Sequence, residues 1–93
     1  MAAAWRDRKS EETARYEFLL RLYRSADQGP QAVVQAGDLG EELGMSRVQT
    51  FAVVEYLADQ GFVEYLGAGP RVRISARGIR YIELEAGSRR TIR

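Results

Sequence analysis

The chain has 93 residues, 45% of them hydrophobic, and a net charge of +1, a size and balance typical of one globular domain. It contains no cysteine and no histidine, which removes disulfides, thiol chemistry, the commonest general base and the commonest metal ligand. We therefore expect no enzyme activity, no metal and no cofactor.

The N-terminal residues predict an arm followed by a helix. Residues 1–9 mix alanine, charge and one tryptophan, and we expect them to form a flexible N-terminal arm without the apolar core of a secretory signal. No apolar run reaches the roughly 20 residues that span a bilayer, so we expect a cytoplasmic protein. Ser10 can cap a helix over residues 11–28, in which apolar side chains recur every three or four positions until Gly29 ends it.

Three short segments are predicted in the middle of the chain. Residues 32–34 are apolar and either form a brief edge strand or simply pack against the core. Residues 39–43 indicate a compact helix that ends at Gly44, where glycine accepts a positive φ. A longer helix over residues 46–60 begins at the N-cap Ser46 and ends before Gly61. Its predicted buried face consists of Thr50, Val53, Val54 and Leu57.

After Gly61 the hydrophobic period changes from 3.6 to 2, which predicts strands. The first strand is expected over residues 62–66, which are rich in branched and aromatic side chains. The second is expected over residues 71–75, where polar and apolar side chains alternate. The glycine-containing segment 67–70 between them favours a β-hairpin. A last helix is expected over residues 76–86, capped by Ser75, with Ile79 and Ile82 facing inward and Gly87 at its end.

Basic residues are concentrated at the C-terminal end of the sequence. Residues 71–93 hold seven of the fourteen basic side chains against two acidic ones, and thirteen of the fourteen are arginine. Arginine binds phosphate through a planar fork of donors, and such asymmetry favours a polyanionic partner, although a solvated surface gives the same pattern. We divide the chain into the arm 1–9, a domain 10–87 and a basic tail 88–93.

Three segments, in this order, resemble the winged helix-turn-helix family, particularly bacterial and archaeal repressors of the MarR and PadR type. Residues 38–46, Asp-Leu-Gly-Glu-Glu-Leu-Gly-Met-Ser, are similar to the family's acidic-Leu-Ala-x-x-Leu-Gly-apolar-Ser. Residues 54–63 match the end of its recognition helix, and residues 74–78 match its apolar-Ser/Thr-x-x-Gly segment after the wing. The resemblance covers residues 11–86 and implies an α+β, mostly α fold with a three-helix core, a two-stranded wing and a C-terminal helix.

The resemblance implies a DNA-binding transcriptional regulator that acts as a homodimer. The recognition helix would enter the major groove, and the wing would lie on the DNA backbone or in the minor groove. The first helix, the arm and the fourth helix would form the dimer interface. Arg71 and Arg73 share one face of a strand with period 2 and would project together. The DNA-binding residues expected on this basis are Ser46, Arg47, Gln49, Arg71, Arg73 and Arg77.

The recognition helix departs from the family pattern at its exposed positions. Phe51 and Ala52 stand where Thr and Arg are common, and Val48 precedes them. We expect Phe51 to pack beneath the first helix or the wing, whereas an exposed Phe51 would indicate contact with a protein. Arg47 is the only basic residue in residues 38–59, against five acidic ones. The alternative function is therefore a winged-helix module for protein–protein contact in a larger assembly.

Overall fold

A computed structural model describes residues 11–25, 33–67 and 69–91, without the side chains of residues 86–91. Within these residues the chain forms four helices and a three-stranded antiparallel sheet, a small α+β fold that is mostly helical. In chain order the elements are α1 (Glu11–Ser25), β1 (Val34–Gln35), α2 (Ala36–Glu42), α3 (Arg47–Asp59), β2 (Val63–Tyr65), β3 (Arg71–Ile74) and α4 (Ala76–Thr91). The predicted arm lies outside the described residues. The same is true of the end of the predicted first helix, residues 26–28 and Gly29.

Helix α3 confirms its prediction most closely. The Ser46 hydroxyl accepts a hydrogen bond of 3.1 Å from the Gln49 amide and so caps the helix. At the other end Gly61 has a φ of +79°, a conformation that glycine adopts without a Cβ penalty. The four residues predicted to face inward are the four that are buried: Thr50, Val53, Val54 and Leu57.

The sheet has one strand more than the predicted hairpin. β3 lies in the centre, between β2 and the short strand β1, and both pairings are antiparallel. Val34 of β1 pairs with Val72 of β3, so the edge-strand alternative for this segment is the correct one. β1 can pair with β3 because an antiparallel hairpin leaves unpaired amide and carbonyl groups along the outer edge of each of its strands.

Two helix boundaries differ from the predictions. α2 begins at Ala36 rather than at Leu39, so that Gly37 and Asp38 also belong to the helix. α4 does not end at Gly87 but continues to Thr91, into the predicted basic tail. A single glycine lowers helix stability by about 1 kcal/mol relative to alanine, which is too little to end a helix by itself.

The hydrophobic core lies between α1, α3, α4 and the inner face of the sheet. Its largest fully buried side chains are Phe18, Leu19 and Leu22 of α1, with Ile82 of α4 beside them. Among the described residues no helix has both the length and the apolar composition needed to cross a membrane. Because the inward stripe of α3 is anchored in this core, the opposite side of that helix faces solvent.

Candidate nucleic-acid interface

A tight turn between α2 and α3 sets the start of α3. Gly44 occupies the turn with a φ of +78°, and the Met45 amide donates a 2.9 Å hydrogen bond to the Gly40 carbonyl. Gly40 also allows the close crossing of the two helices, since a Cβ at this position would lie 2.7 Å from Thr50 Cγ2. The close crossing of α2 and α3 therefore depends on the absence of a side chain at Gly40. The crossing leaves the first turns of α3 exposed at the surface.

Three apolar side chains dominate the exposed N-terminal half of α3. Val48 is 80% exposed, Phe51 is 51% exposed, and Ala52 is also exposed; we call these three residues the apolar ridge. The expectation that Phe51 packs beneath α1 or the hairpin is wrong. The inward stripe of α3 is already filled by its four buried residues. Phe51 lies at the edge of this stripe, about 100° around the helix from Thr50, and half of it remains exposed.

The hairpin presents a polar outer face. Arg73 pairs with Glu64 across the strands, and Arg71 pairs with Gln35 of β1. Because side chains alternate along a strand, these four lie on one face, opposite the buried Val72. The amide of Ala36 donates a 2.8 Å hydrogen bond to the Pro70 carbonyl, which ties the beginning of β3 to the beginning of α2.

A groove of about 390 Å³ separates the apolar ridge from the hairpin, and we call it the wing-side groove. Arg47 and Phe51 line it from α3, and Gln35 and Pro70 line it from the sheet side. Arg71 is the strand neighbour of Gln35, so the fold brings the start of α3 and the start of β3 together. The groove is also lined by Gly37, Asp38, Glu41, Met45 and Thr50.

The arginines of the predicted site differ in what they contact. Arg47 and Arg71 are exposed, and neither makes an ion pair with another described residue. Arg73 is partly buried, and its Nε donates a 3.0 Å hydrogen bond to the Glu64 carboxylate. Arg77 lies with its guanidinium 5.6 Å from the centre of the Phe62 ring. Phe62 follows the C-terminal end of α3, so Arg77 lies about 20 Å from Arg47, at 1.5 Å of helix rise per residue.

Ser46 and Gln49 share the N-terminal turn of α3. The Ser46 hydroxyl accepts the capping bond from the Gln49 amide, and its own hydrogen remains able to donate to a phosphate oxygen. The Gln49 side chain is partly buried and lines a groove between α3 and α1 together with Val48 and Ala52. The structure thus brings Ser46, Arg47 and Arg71 to one end of the molecule, with Gln49 turned toward α1.

The C-terminal half of α3 has the opposite character. Glu55 and Asp59 are exposed there, and Tyr65 of β2 lies near both. The pKa of the Tyr65 hydroxyl lies above its ordinary value. Partial burial is the main cause, and the negative charges of Glu55 and Asp59 raise the pKa further. The Arg15 guanidinium stacks on the Tyr56 ring at 3.8 Å. This half is therefore acidic and partly covered by neighbouring side chains.

The pairing of Arg73 with Glu64 was not foreseen, although the sequence contains the signal for it. With residues 67–70 between the strands, Leu66 comes opposite Arg71, and the Leu66 amide does donate a 2.9 Å hydrogen bond to the Arg71 carbonyl. Counting two residues away from the loop along each strand places Glu64 opposite Arg73. The loop length, together with the opposite charges of these two residues, is the signal for this ion pair.

Comparison with known proteins gives no guide to this surface. No family model, no curated protein and no solved structure matches the chain. Its function must therefore be inferred from its own residues and their arrangement.

Proposed function

We propose that the chain is a winged helix-turn-helix domain that binds double-stranded DNA as a homodimer and regulates transcription. α2 and α3 form the helix-turn-helix, β2 and β3 form the wing, and the N-terminal half of α3 enters the major groove. The observation that carries the proposal is the pair of exposed arginines, Arg47 and Arg71, at the end where α3 and the hairpin meet. Both lack an ion-pair partner among the described residues.

The position of these cations suits a duplex. The major groove is about 12 Å wide and admits a helix, and a helix held by its opposite face in the core can enter with its first turns. Arg47 then reaches a phosphate or a guanine edge from within the groove. Arg71 reaches the backbone or the minor groove from the wing. The Ser46 hydroxyl adds a donor to phosphate at the helix N-terminus, where the helix dipole also favours an anion.

Acidic residues limit the affinity of one copy. Asp38 and Glu41 line the wing-side groove, and Glu55 follows the apolar ridge on the exposed face of α3. These carboxylates repel the phosphates of a bound duplex. Two copies on a palindromic site double the phosphate contacts, which compensates for the repulsion. Leu84 of α4 is 67% exposed and supports the proposal that α4 contributes to the dimer interface. Sedimentation at micromolar concentration tests the dimer, and a single 10.5 kDa species would contradict it.

A second candidate function is a protein-interaction module in a larger assembly. The observation that favours it is the exposure of Val48 and Phe51 in place of polar side chains. In this alternative the apolar ridge docks on a protein partner, and Arg47 and Arg71 have no role in binding duplex DNA.

A salt titration separates the two candidates. Binding to a labelled random-sequence duplex is measured by fluorescence anisotropy over a range of salt concentrations. If Arg47 and Arg71 each neutralise a phosphate, the double variant Arg47→Ala/Arg71→Ala should bind more weakly, and its slope of log affinity against log salt should be smaller by about 1.8. Arg24→Ala is the matched control, because Arg24 is an exposed arginine of α1. Absence of binding by the wild-type chain at low salt would overturn the DNA proposal and favour the protein-interaction module.

A further inference from the structure

We infer that the apolar ridge reads thymine through the C5-methyl group that this base presents in the major groove. The inference depends on the proposed function, which it makes more specific: the preferred ligand is a duplex with A·T pairs where α3 enters. The ridge consists of Val48, Phe51 and Ala52.

The spacing of the ridge matches the spacing of bases. Val48, Phe51 and Ala52 stand at positions i, i+3 and i+4, so they form one patch on the helix surface. The axial distance from Val48 to Ala52 is about 6 Å, at 1.5 Å of rise per residue. This distance corresponds to about two base steps of roughly 3.4 Å each. The ridge therefore spans about three base pairs and can contact the methyl groups of two of them at once.

The chemistry of the ridge excludes most base edges. Guanine, cytosine and adenine present hydrogen-bond donors and acceptors in the major groove, whereas thymine adds an apolar methyl group. The side chains of the ridge offer neither donors nor acceptors, so they would bury polar edges of either base pair without a partner, which is unfavourable. Only an A·T pair also offers a methyl group that offsets this cost. Burial of a thymine methyl against Phe51 or Val48 is favourable.

The size and surroundings of the ridge favour DNA over a protein partner. A typical protein interface buries about 800 Å² on each side, and three side chains on two helix turns supply only a small part of that. The ridge is bordered by Arg47 on the same helix and by Arg71 across the wing-side groove. Neither arginine has an ion-pair partner among the described residues. A small apolar patch beside such cations complements a base edge flanked by phosphates.

The test replaces thymine without changing base pairing. The full chain is titrated with a short duplex of alternating A and T and with the same duplex containing deoxyuridine, which lacks the C5-methyl group. The wild-type chain should bind the thymine duplex about fourfold more tightly for each methyl contacted, from about 0.8 kcal/mol per buried CH₂-sized group. The double variant Val48→Ala/Phe51→Ala should lose most of this preference and keep the salt dependence of binding. Val33→Ala, at an exposed apolar residue outside α3 and α4, should keep both.

The possible results lead to different conclusions. Equal affinity for the two duplexes, with a normal salt dependence, would overturn the thymine inference and leave the DNA proposal standing. A preference for thymine that Val33→Ala abolishes, or that Val48→Ala/Phe51→Ala retains, would also overturn the assignment to the ridge. Binding to neither duplex at low salt would overturn the proposed function, and the thymine inference with it.

Discussion

The two halves of α3 form one continuous helix but present different surfaces. The N-terminal half exposes Arg47 and the apolar ridge beside an open groove. The C-terminal half exposes Glu55 and Asp59, with Tyr65 of the hairpin and the stacked Arg15 and Tyr56 around it. Both halves bury the same inward stripe, so the difference lies entirely in the residues that face solvent.

If the proposed function is correct, this difference limits the DNA surface to about the first two turns of α3. A carboxylate near a phosphate is repelled, and the repulsion is screened over roughly 10 Å at ordinary salt concentrations. The acidic half is therefore expected to stay outside the groove or at its rim.

The largest expected effect concerns the two glycines that hold the ends of α3. A Cβ at Gly78 would press on the backbone carbonyl of Phe62 and lie 2.8 Å from Ile74 Cγ1. A Cβ at Gly40 would instead meet the side chain of Thr50. We expect Gly78→Ala and Gly40→Ala each to lower the free energy of unfolding by about 1–3 kcal/mol, with the larger loss at Gly78 because backbone atoms move less easily than a side chain. Urea denaturation measures both.

Gly37→Ala is the matched control for these two variants. Gly37 is helical, and no atom outside its own helix and chain neighbours lies within 4 Å of a Cβ at this position. Alanine should therefore stabilise the fold by up to about 1 kcal/mol. A loss of stability in Gly37→Ala similar to that in Gly78→Ala would contradict the explanation by close approach.

The second prediction concerns the arginine of the hairpin that is held by an acid. Arg73 donates to Glu64 in an ion pair that is partly exposed, and such pairs contribute only about 0–1 kcal/mol. Glu64→Gln removes the negative charge that competes with a phosphate for the Arg73 guanidinium. The affinity for random duplex should rise a few-fold, and the salt slope should become steeper by about 0.9. Anisotropy under the conditions of the salt titration measures both quantities.

Glu17→Gln provides the control for this charge change. Glu17 is an exposed residue of α1, and its neutralisation alters the net charge by the same amount. If the two variants gain affinity equally, the effect comes from net charge rather than from the loss of the competing carboxylate beside Arg73.

The smallest expected effect is a change in stability at alkaline pH, caused by Tyr65 of β2 beside the acidic half of α3. Tyr65 has a raised pKa, so its contribution to stability is complete below the unfolded value of about 10 and is lost as the pH rises through the higher folded value. The Tyr65→Phe variant should therefore lose less stability than the wild-type chain in this alkaline range. Denaturation at several pH values above neutrality measures the difference, and identical alkaline losses would contradict the prediction.

Much of the fold could be predicted because its signals are local. The cap at Ser46, the positive φ at Gly44 and Gly61, and the buried stripe of α3 each depend on residues within a few positions of one another. The hairpin follows from the change of hydrophobic period and from residues 67–70. Phe51 was predicted wrongly because a helix pattern shows that a residue is apolar but not whether its neighbours leave room for it.

The sequence by itself determined the helices, the hairpin, the acidic and basic segments and the residue types that a site could use. Only the tertiary structure decided which of these residues meet. It brings Arg47 and Arg71 to one end of the molecule, leaves Arg77 against Phe62 at the other end, and exposes Val48 and Phe51 between two grooves. The reason is that contacts between distant segments depend on how the buried stripes of α1, α3 and the sheet fit together, and that fit is a property of the whole core.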